Sequence, residues 1–495
     1  MVRLFIFCSQ RGQSCLWQYG LMALMLLGSV SNALGQSFAP FVAYSSGTYV
    51  IPYDIDLADV NGDTKPDIIM AGGGSNAIGV LLNMGAGTFQ SVIRYSTGGG
   101  SYPAAVATGD VNSDGKLDLV SANYLGNSVG VLLGNGDGTF QTVTIYSTGT
   151  YSAPSDVAVG DVNYDGKPDI ITANYNNSTL GLFINTGRSF QLMVPYAAGT
   201  GCNPSSIVAA DVNGDGKADL IAGNQFGGAV SVLLNDGYGS FNPVVLYNTS
   251  PGDHTYNVAV ADLNGDRKPD IVTANANNNS VGIMLGNGNG TFQTMATQVI
   301  GPNQYGYDVA VADITGDNKP DLLAVNGSYD AAEVLPGNGN GTFQPFKSFS
   351  TGSRSAPNTV AVADLNGDNK LDIVTGNNDN NTISVLLNTT ASVLASQPIS
   401  PQTQLGLWPN PCAATEGFTL TMSGLPTRTS RLEATFFNTA GQRLSSAVLP
   451  ITQGTVQGKL PTTGFLPGLY ILRLSTYDMQ GTYVSSLAVR QVCIK

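Results

Sequence analysis

Seven nine-residue segments hold most of the side chains in this sequence that are able to do chemistry. They read DVNGDTKPD from Asp59, DVNSDGKLD from Asp110, DVNYDGKPD from Asp161, DVNGDGKAD from Asp211, DLNGDRKPD from Asp262, DITGDNKPD from Asp313 and DLNGDNKLD from Asp364. Oxygen-bearing side chains recur at positions 1, 3, 5 and 9. They are Asp59, Asn61, Asp63 and Asp67, then Asp110, Asn112, Asp114 and Asp118, then Asp161, Asn163, Asp165 and Asp169. The fourth and fifth sets are Asp211, Asn213, Asp215 and Asp219, and Asp262, Asn264, Asp266 and Asp270. The sixth keeps Asp313, Asp317 and Asp321 but has Thr315 at position 3, and the seventh is Asp364, Asn366, Asp368 and Asp372. Hard oxygen donors at this spacing suit Ca²⁺, which takes six to eight oxygens. Up to seven Ca²⁺ ions are predicted, with the Thr315 site the weakest. Position 7 is Lys in every segment, from Lys65 to Lys370. Its carbonyl is free to ligate while its ammonium faces water.

The charge balance agrees with this reading. Of the 34 acidic residues, 21 lie in the seven segments, and the net charge is −13. Carboxylates this close repel one another unless a cation sits among them. An EF-hand would need an acid at position 12, but Met70 and Ala222 stand there in the first and fourth segments. At position 6, Gly or Asn fills five segments and favours a left-handed turn; Thr64 and Arg267 in the other two are predicted to be strained there. No basic stripe exists, which excludes nucleic acid as a partner class. Catalysis has little to draw on: His254 is the single histidine and no nucleophile–base pair is visible. Asp156, Asp253, Asp308 and Asp330 are the carboxylates outside the segments considered for acid–base work, and each reads as a turn residue.

The segments start 50 or 51 residues apart, so the chain is a repeat array. In the third unit, SDVAVG leads into Asp161, DIITAN follows it, and TLGLFIN and SFQLMVPY come after polar or glycine-bearing turns. That is four short strands per unit. Turns such as GNGDGTF, ending at Phe140, supply the positive φ that a tight hairpin needs. The seventh unit stops near Asn388 without a fourth strand, and SFAPFVAYSSG (residues 37–47) precedes the first. The N-terminal segment is therefore predicted to complete the last unit and close a ring. The fold class expected is all-β: a seven-bladed β-propeller over residues 36–390, then a linker at 391–404 and a small C-terminal β-sandwich at 405–495.

Residues 1–35 read as a secretory signal peptide, with Arg3 and Arg11 before an apolar run from Leu21 to Val30 that is too short to be a retained membrane span. Three cysteines follow it. Cys412 and Cys493 are placed to pair in an oxidising compartment, which would leave Cys202 alone.

The acidic segments and strand order resemble the FG-GAP or VCBS-type repeats of integrin-like propellers. That resemblance implies Ca²⁺ held between the first two strands of each blade. The tail resembles the type A sorting domain of the type IX secretion system, through Leu407-Trp408-Pro409-Asn410-Pro411, Asn438-Thr439-Ala440-Gly441 and Leu466-Pro467-Gly468-Leu469-Tyr470. It implies the type IX secretion machinery as a partner and a secreted or outer cell-surface location in a Gram-negative bacterium. The function expected is a binding or adhesion module for an extracellular glycan or protein ligand. A carbohydrate-active enzyme, such as a polysaccharide lyase, and a purely structural scaffold are the alternatives. The rim expected to bind carries Tyr102, Tyr124, Tyr151, Tyr175, Phe226, Tyr256, Tyr305 and Tyr329, at the end opposite the acidic segments.

Overall fold

Strand follows strand because short β-branched runs alternate with Gly, Asn and Asp turns throughout the repeats. The computed structural model describes residues 36–47, 50–249, 254–278, 280–301, 307–390, 404–408, 418–423, 425, 430–437, 443–452, 455–462, 465, 468–477 and 483–494. Among them the only helical pieces are three 3₁₀ turns, at Gly73–Ser75, Ala276–Asn278 and Gly327–Tyr329. The third unit shows the pattern. Pro154–Gly160, Asp169–Asn174, Thr179–Phe183 and Val194–Ala197 pair in that order, each antiparallel to the next. The second strand is buried at all of its residues, which is why DIITAN is nearly continuous in apolar and small side chains.

Seven such four-stranded sheets occur among the described residues. We number them 1 to 7 by their first strands: Pro52–Ala58, Pro103–Gly109, Pro154–Gly160, Pro204–Ala210, Thr255–Ala261, Val309–Ala312 and Pro357–Ala363. Sheet 7 takes its fourth strand from the N-terminal segment: Val42–Ser45 pairs with Thr382–Leu386, Val42 opposite Val385 and Ser45 opposite Thr382.

Apolar clusters fill the space between consecutive sheets. Ile171 and Leu182 of sheet 3 share one with Leu220 and Leu233 of sheet 4. Ile68, Met70 and Leu81 of sheet 1 share another with Val374, Ile383 and Val385 of sheet 7. At about 1.5–3 kcal/mol for each large side chain buried, these seams carry most of the apolar stabilisation.

The acidic segments join the sheets by hydrogen bonds as well. Each position-2 carbonyl accepts from the sheet that follows. Gly138 N donates to Val60 O at 3.2 Å, Asn185 Nδ2 to Val111 O at 2.7 Å and Asn235 Nδ2 to Val162 O at 2.9 Å. Gly290 N donates to Val212 O and Gly341 N to Leu263 O, both at 3.1 Å, and Asn388 Nδ2 to Ile314 O at 2.9 Å. The same bond links the last sheet to the first, where Asn83 Nδ2 and Gly87 N donate to Leu365 O at 3.0 and 3.2 Å.

Position 6 is left-handed in all seven segments, including Thr64 (φ 68°) and Arg267 (φ 63°). Position 4 is left-handed too, even at Ser113 (φ 61°) and Tyr164 (φ 62°), where residue type gives no hint of it.

The tail forms two antiparallel sheets. One orders Gln404–Trp408, Phe418–Ser423 and Val456–Leu460; the other orders Arg443–Pro450, Arg431–Phe437, Gly468–Tyr477 and Tyr483–Ile494. Phe418, Leu420, Leu432, Phe436, Leu472 and Leu474 form their shared core. The first strand starts at Gln404, one residue inside the expected linker. The expected signal peptide, Cys412, the Cys493 side chain, Asp253, Tyr305 and the Asn438–Gly441 turn lie outside the described residues.

Removing residues 37–47 would bare the edge of Thr382–Leu386 and open the seam between sheets 7 and 1. The truncated chain is expected to melt about 10 °C or more below the full one. Coincident calorimetric melts would contradict the role assigned to this strand.

Candidate metal loops and an axial cavity

Two sets of carboxylates stand at opposite ends of the first strands, and they are built differently. In the acidic segments the short chain between positions 1 and 6 curls around its own side chains. Asp59 Oδ1 accepts from Gly62 N at 2.7 Å and Asp63 N at 3.1 Å, and its Oδ2 from Thr64 N at 2.6 Å. Asn61 Oδ1 accepts from Asp63 N at 2.9 Å. The other segments repeat these bonds with few changes. In six of the seven, the position-7 ammonium pairs with the position-5 carboxylate, from 2.8 Å for Lys65–Asp63 to 3.9 Å for Lys217–Asp215. These pairs are solvent-exposed and contribute little by themselves.

Position 9 is different. Asp67, Asp118, Asp169, Asp219, Asp270, Asp321 and Asp372 are fully buried at the start of each second strand. Asp169 shows why: its Oδ2 accepts from Val162 N at 3.2 Å and its Oδ1 from Asn185 N at 2.8 Å. Each position-9 carboxylate thus ties the acidic segment to the end of the third strand. Burial pushes Asp67, Asp118, Asp169, Asp219 and Asp372 up to about 6, against the pull of those two N–H donors. It raises Asp270 and Asp321 as well.

The donors offered at each loop are oxygens only, which fits a hard cation such as Ca²⁺. Among the described residues, no three carboxylates converge as a ligand set. The side chains that would hold a cation are those at positions 1, 3 and 5, with the position-9 charge beneath them.

At the other end of the strands, every sheet contributes to one cavity of about 480 Å³. A register shift after the first residue of the first strand, a bulge, turns the third residue of that strand toward this space. The third residues so placed are Asp54, Ala105, Asp156, Ser206, Asn257 and Thr359; Asp308 lines the cavity from the matching place in sheet 6. Tyr53, Tyr102, Tyr124, Tyr175, Tyr256 and Tyr307 line it too. Tyr53 and Tyr102 hydroxyls are 2.7 Å apart, and the Tyr256 and Tyr307 rings meet edge to face at 4.8 Å.

Each acid bridges two sheets. Asp156 accepts from Val157 N of its own strand at 2.7 Å and from Ile207 N of sheet 4 at 2.7 Å. Asp54 and Asp308 make the matching bonds, to Ile55 N and Val106 N and to Val309 N and Val360 N. Burial pushes Asp156 up to about 7 and Asp308 to about 6. Asp54 rises well above the usual carboxylate range, from burial first and the charge of Asp156 next.

Asp156 and Asp308, expected at turns, belong instead to the cavity wall: the bulge turns Asp156 inward, and Asp308 stands at the matching place in sheet 6. Asp330 does sit at a turn, in a left-handed position, where its carboxylate accepts from Arg354 N and Ala356 N. Of the predicted aromatic rim, Tyr102, Tyr124, Tyr175 and Tyr256 line the cavity. Phe226 packs between Tyr175 and His254 instead, and Tyr151 and Tyr329 are exposed away from it. Tyr53, Tyr307 and Asp54 escape the reading of the sequence. A signal is present: each of the three acids stands five residues before a segment's first Asp. Cys202 is buried and free, and Glu333 is buried in the third strand of sheet 6, accepting from Asn326 Nδ2 and Ser348 Oγ.

A family model described as FG-GAP-like repeat matches residues 59–121, 110–172, 161–222, 212–273, 264–324 and 313–375. None of the curated proteins compared matches the sequence. Among solved structures, the extracellular domain described as that of a hybrid two-component system from B. thetaiotaomicron is 9% identical, with a TM-score of 0.47. The match covers 93% of this chain, which spans 60% of the length of that one. A protein described as a 6-phosphogluconolactonase from Bacteroides uniformis is 16% identical over 60% of this chain and 86% of its own, with a TM-score of 0.46. Among the described residues no helix is long and apolar enough to cross a membrane.

The raised carboxylates fix the direction of pH dependence. Their folded pKa values, about 6 to 7, lie above the ordinary 3.8, so the folded state binds more protons between these limits. The stability they contribute is complete below 3.8 and is lost as pH rises through the folded values. In chelator, the melting temperature is expected to fall steadily from pH 5 to pH 7.5. A flat or rising curve by scanning calorimetry would contradict this.

Proposed function

The chain belongs to the FG-GAP-like repeat family, and on that premise we propose that it is an extracellular binding module: a closed seven-bladed β-propeller, stiffened by calcium, that takes its ligand at the axial cavity. The observation that carries the reading is the cavity itself, lined from all seven sheets by tyrosine rings beside amides and carboxylates. Rings next to hydrogen-bonding groups suit the faces and hydroxyls of a glycan, with a protein loop as the other extracellular candidate. Ring closure is supported by the seam between sheets 7 and 1, which repeats the bonds and packing of the others.

Calcium is assigned to the acidic segments on donor chemistry. At dissociation constants of about 10⁻⁴ to 10⁻³ M and millimolar calcium, each site would add roughly 0.4–1.4 kcal/mol. Export rests on the N-terminal leader pattern, and attachment or release on the likeness of the tail to a type IX sorting domain. The two-sheet tail, with Gly468–Tyr477 as a long strand, supports that likeness.

A glycan array probed with the full chain in calcium is the test. Binding is expected to fall at least tenfold for Tyr175→Ala and to hold for Tyr151→Ala, whose ring is exposed outside the cavity. Equal loss in both, or in neither, contradicts the cavity as the site. Titration of chelator-treated protein with calcium is expected to approach seven ions per chain; none bound would remove calcium from the account. Asp156, raised to about 7 within a cavity, is the observation that favours a catalytic second reading. Release of cleaved products from arrayed polysaccharides would mark it.

A further inference from the structure

Three carboxyl groups, those of Asp54, Asp156 and Asp308, line the axial cavity and no basic side chain stands among them. They come from sheets 1, 3 and 6, so they are spread around the axis rather than gathered on one wall. Each accepts one backbone N–H on each oxygen, which leaves carboxylate lone pairs beyond those two bonds.

The acids are not required by the sheet joints they bridge. The same register position holds Ala105, Ser206, Asn257 and Thr359 in the other four sheets, which also share apolar clusters with their neighbours. Ser206 is an independent sign of a missing occupant. It is 2% exposed, lines the cavity, and its hydroxyl has no hydrogen-bond partner. The Oδ1 of Asn358, a lining residue from sheet 7, is buried without a partner as well. Burying a polar atom without a partner is costly, and a polar occupant that shifts these side chains toward it would offset that cost.

We propose that this cavity selects an organic ammonium ion: an amine carried on a small polar scaffold, seated among Asp54, Asp156 and Asp308 with tyrosine rings around it. The inference rests on the cavity being the ligand site, and it names the ligand's charge. A bare metal ion is too small to touch all three acids, which come from sheets 1, 3 and 6 around the cavity. A larger cation reaches separated carboxylates at once. Tyrosine faces attract the same charge through their ring quadrupole. A volume of about 480 Å³ lies within the range of small-molecule sites. Burial raises all three acids, with the charge of Asp156 adding to it at Asp54, and a cation bound beside them would favour their ionised forms.

Isothermal titration of the full chain at pH 7 with glucosamine, spermidine and glucose tests the idea on unaltered protein. Glucosamine is expected to bind at least tenfold more tightly than glucose, which differs from it by the amine. The spermidine arm separates a polyamine from an amino sugar as the source of that amine. Asp156→Asn is expected to weaken the preferred amine tenfold or more, with its melting curve recorded to verify folding. Equal binding of glucosamine and glucose, or no binding of either amine, overturns the proposal. Neutral glycans that bind the array, need Tyr175 and ignore Asp156→Asn would sink the ammonium inference and leave the binding reading standing. Loss of every array signal would sink the binding reading itself.

Discussion

A buried aspartate that holds one peptide in place, seven times over, is the constraint on which the rest of this molecule rests. The position-9 carboxylate accepts from the position-2 N–H in six segments, and from the neighbouring Thr315 N–H in the sixth. The position-2 carbonyl is thereby turned outward, where the next sheet donates to it. One side chain therefore fixes a loop, a third strand and a joint between sheets. The position-2 side chains, from Val60 to Leu365, are buried in the same seams, so polar and apolar contacts select one geometry together.

What this geometry leaves at the opposite strand ends is an axis with no side chain filling it. There the bulge at the start of six of the seven first strands decides the chemistry. It turns one residue per sheet toward a common void, and the repeated strand pattern says nothing about which residue type that must be. Three of the seven are aspartates, placed deep enough that their charges are costly. The two ends of the first strands differ in kind: the acidic segments repeat one pattern in every sheet, while the cavity-facing position holds Asp, Ala, Ser, Asn or Thr.

Much of this was legible in the sequence because it is local. The period near 50 residues, the four strands per unit, the exchange of the N-terminal strand into the last sheet and the left-handed turn at position 6 all follow from short-range spacing. The axial site was not legible in the same way. Asp54, Asp156 and Asp308 lie far apart in the chain, and only the packing of successive sheets brings them to one cavity. The Thr64 and Arg267 strain follows from residue type, whereas the left-handed Tyr164 is hidden because position 4 looks like a free choice. Spacing alone makes position 9 a metal ligand. Its burial, with both oxygens on backbone N–H groups, becomes visible only when the third strand returns alongside it.

The most direct test of that bridge is the unfolding free energy of Asp169→Ala in urea, measured with calcium and again with chelator. Losing the carboxylate leaves Val162 N–H and Asn185 N–H buried without their acceptor, so a loss of roughly 2–5 kcal/mol is expected in both conditions. A loss seen with calcium but absent in chelator would show that Asp169 acts only through a bound ion, which contradicts a carboxylate that holds the loop by its own hydrogen bonds.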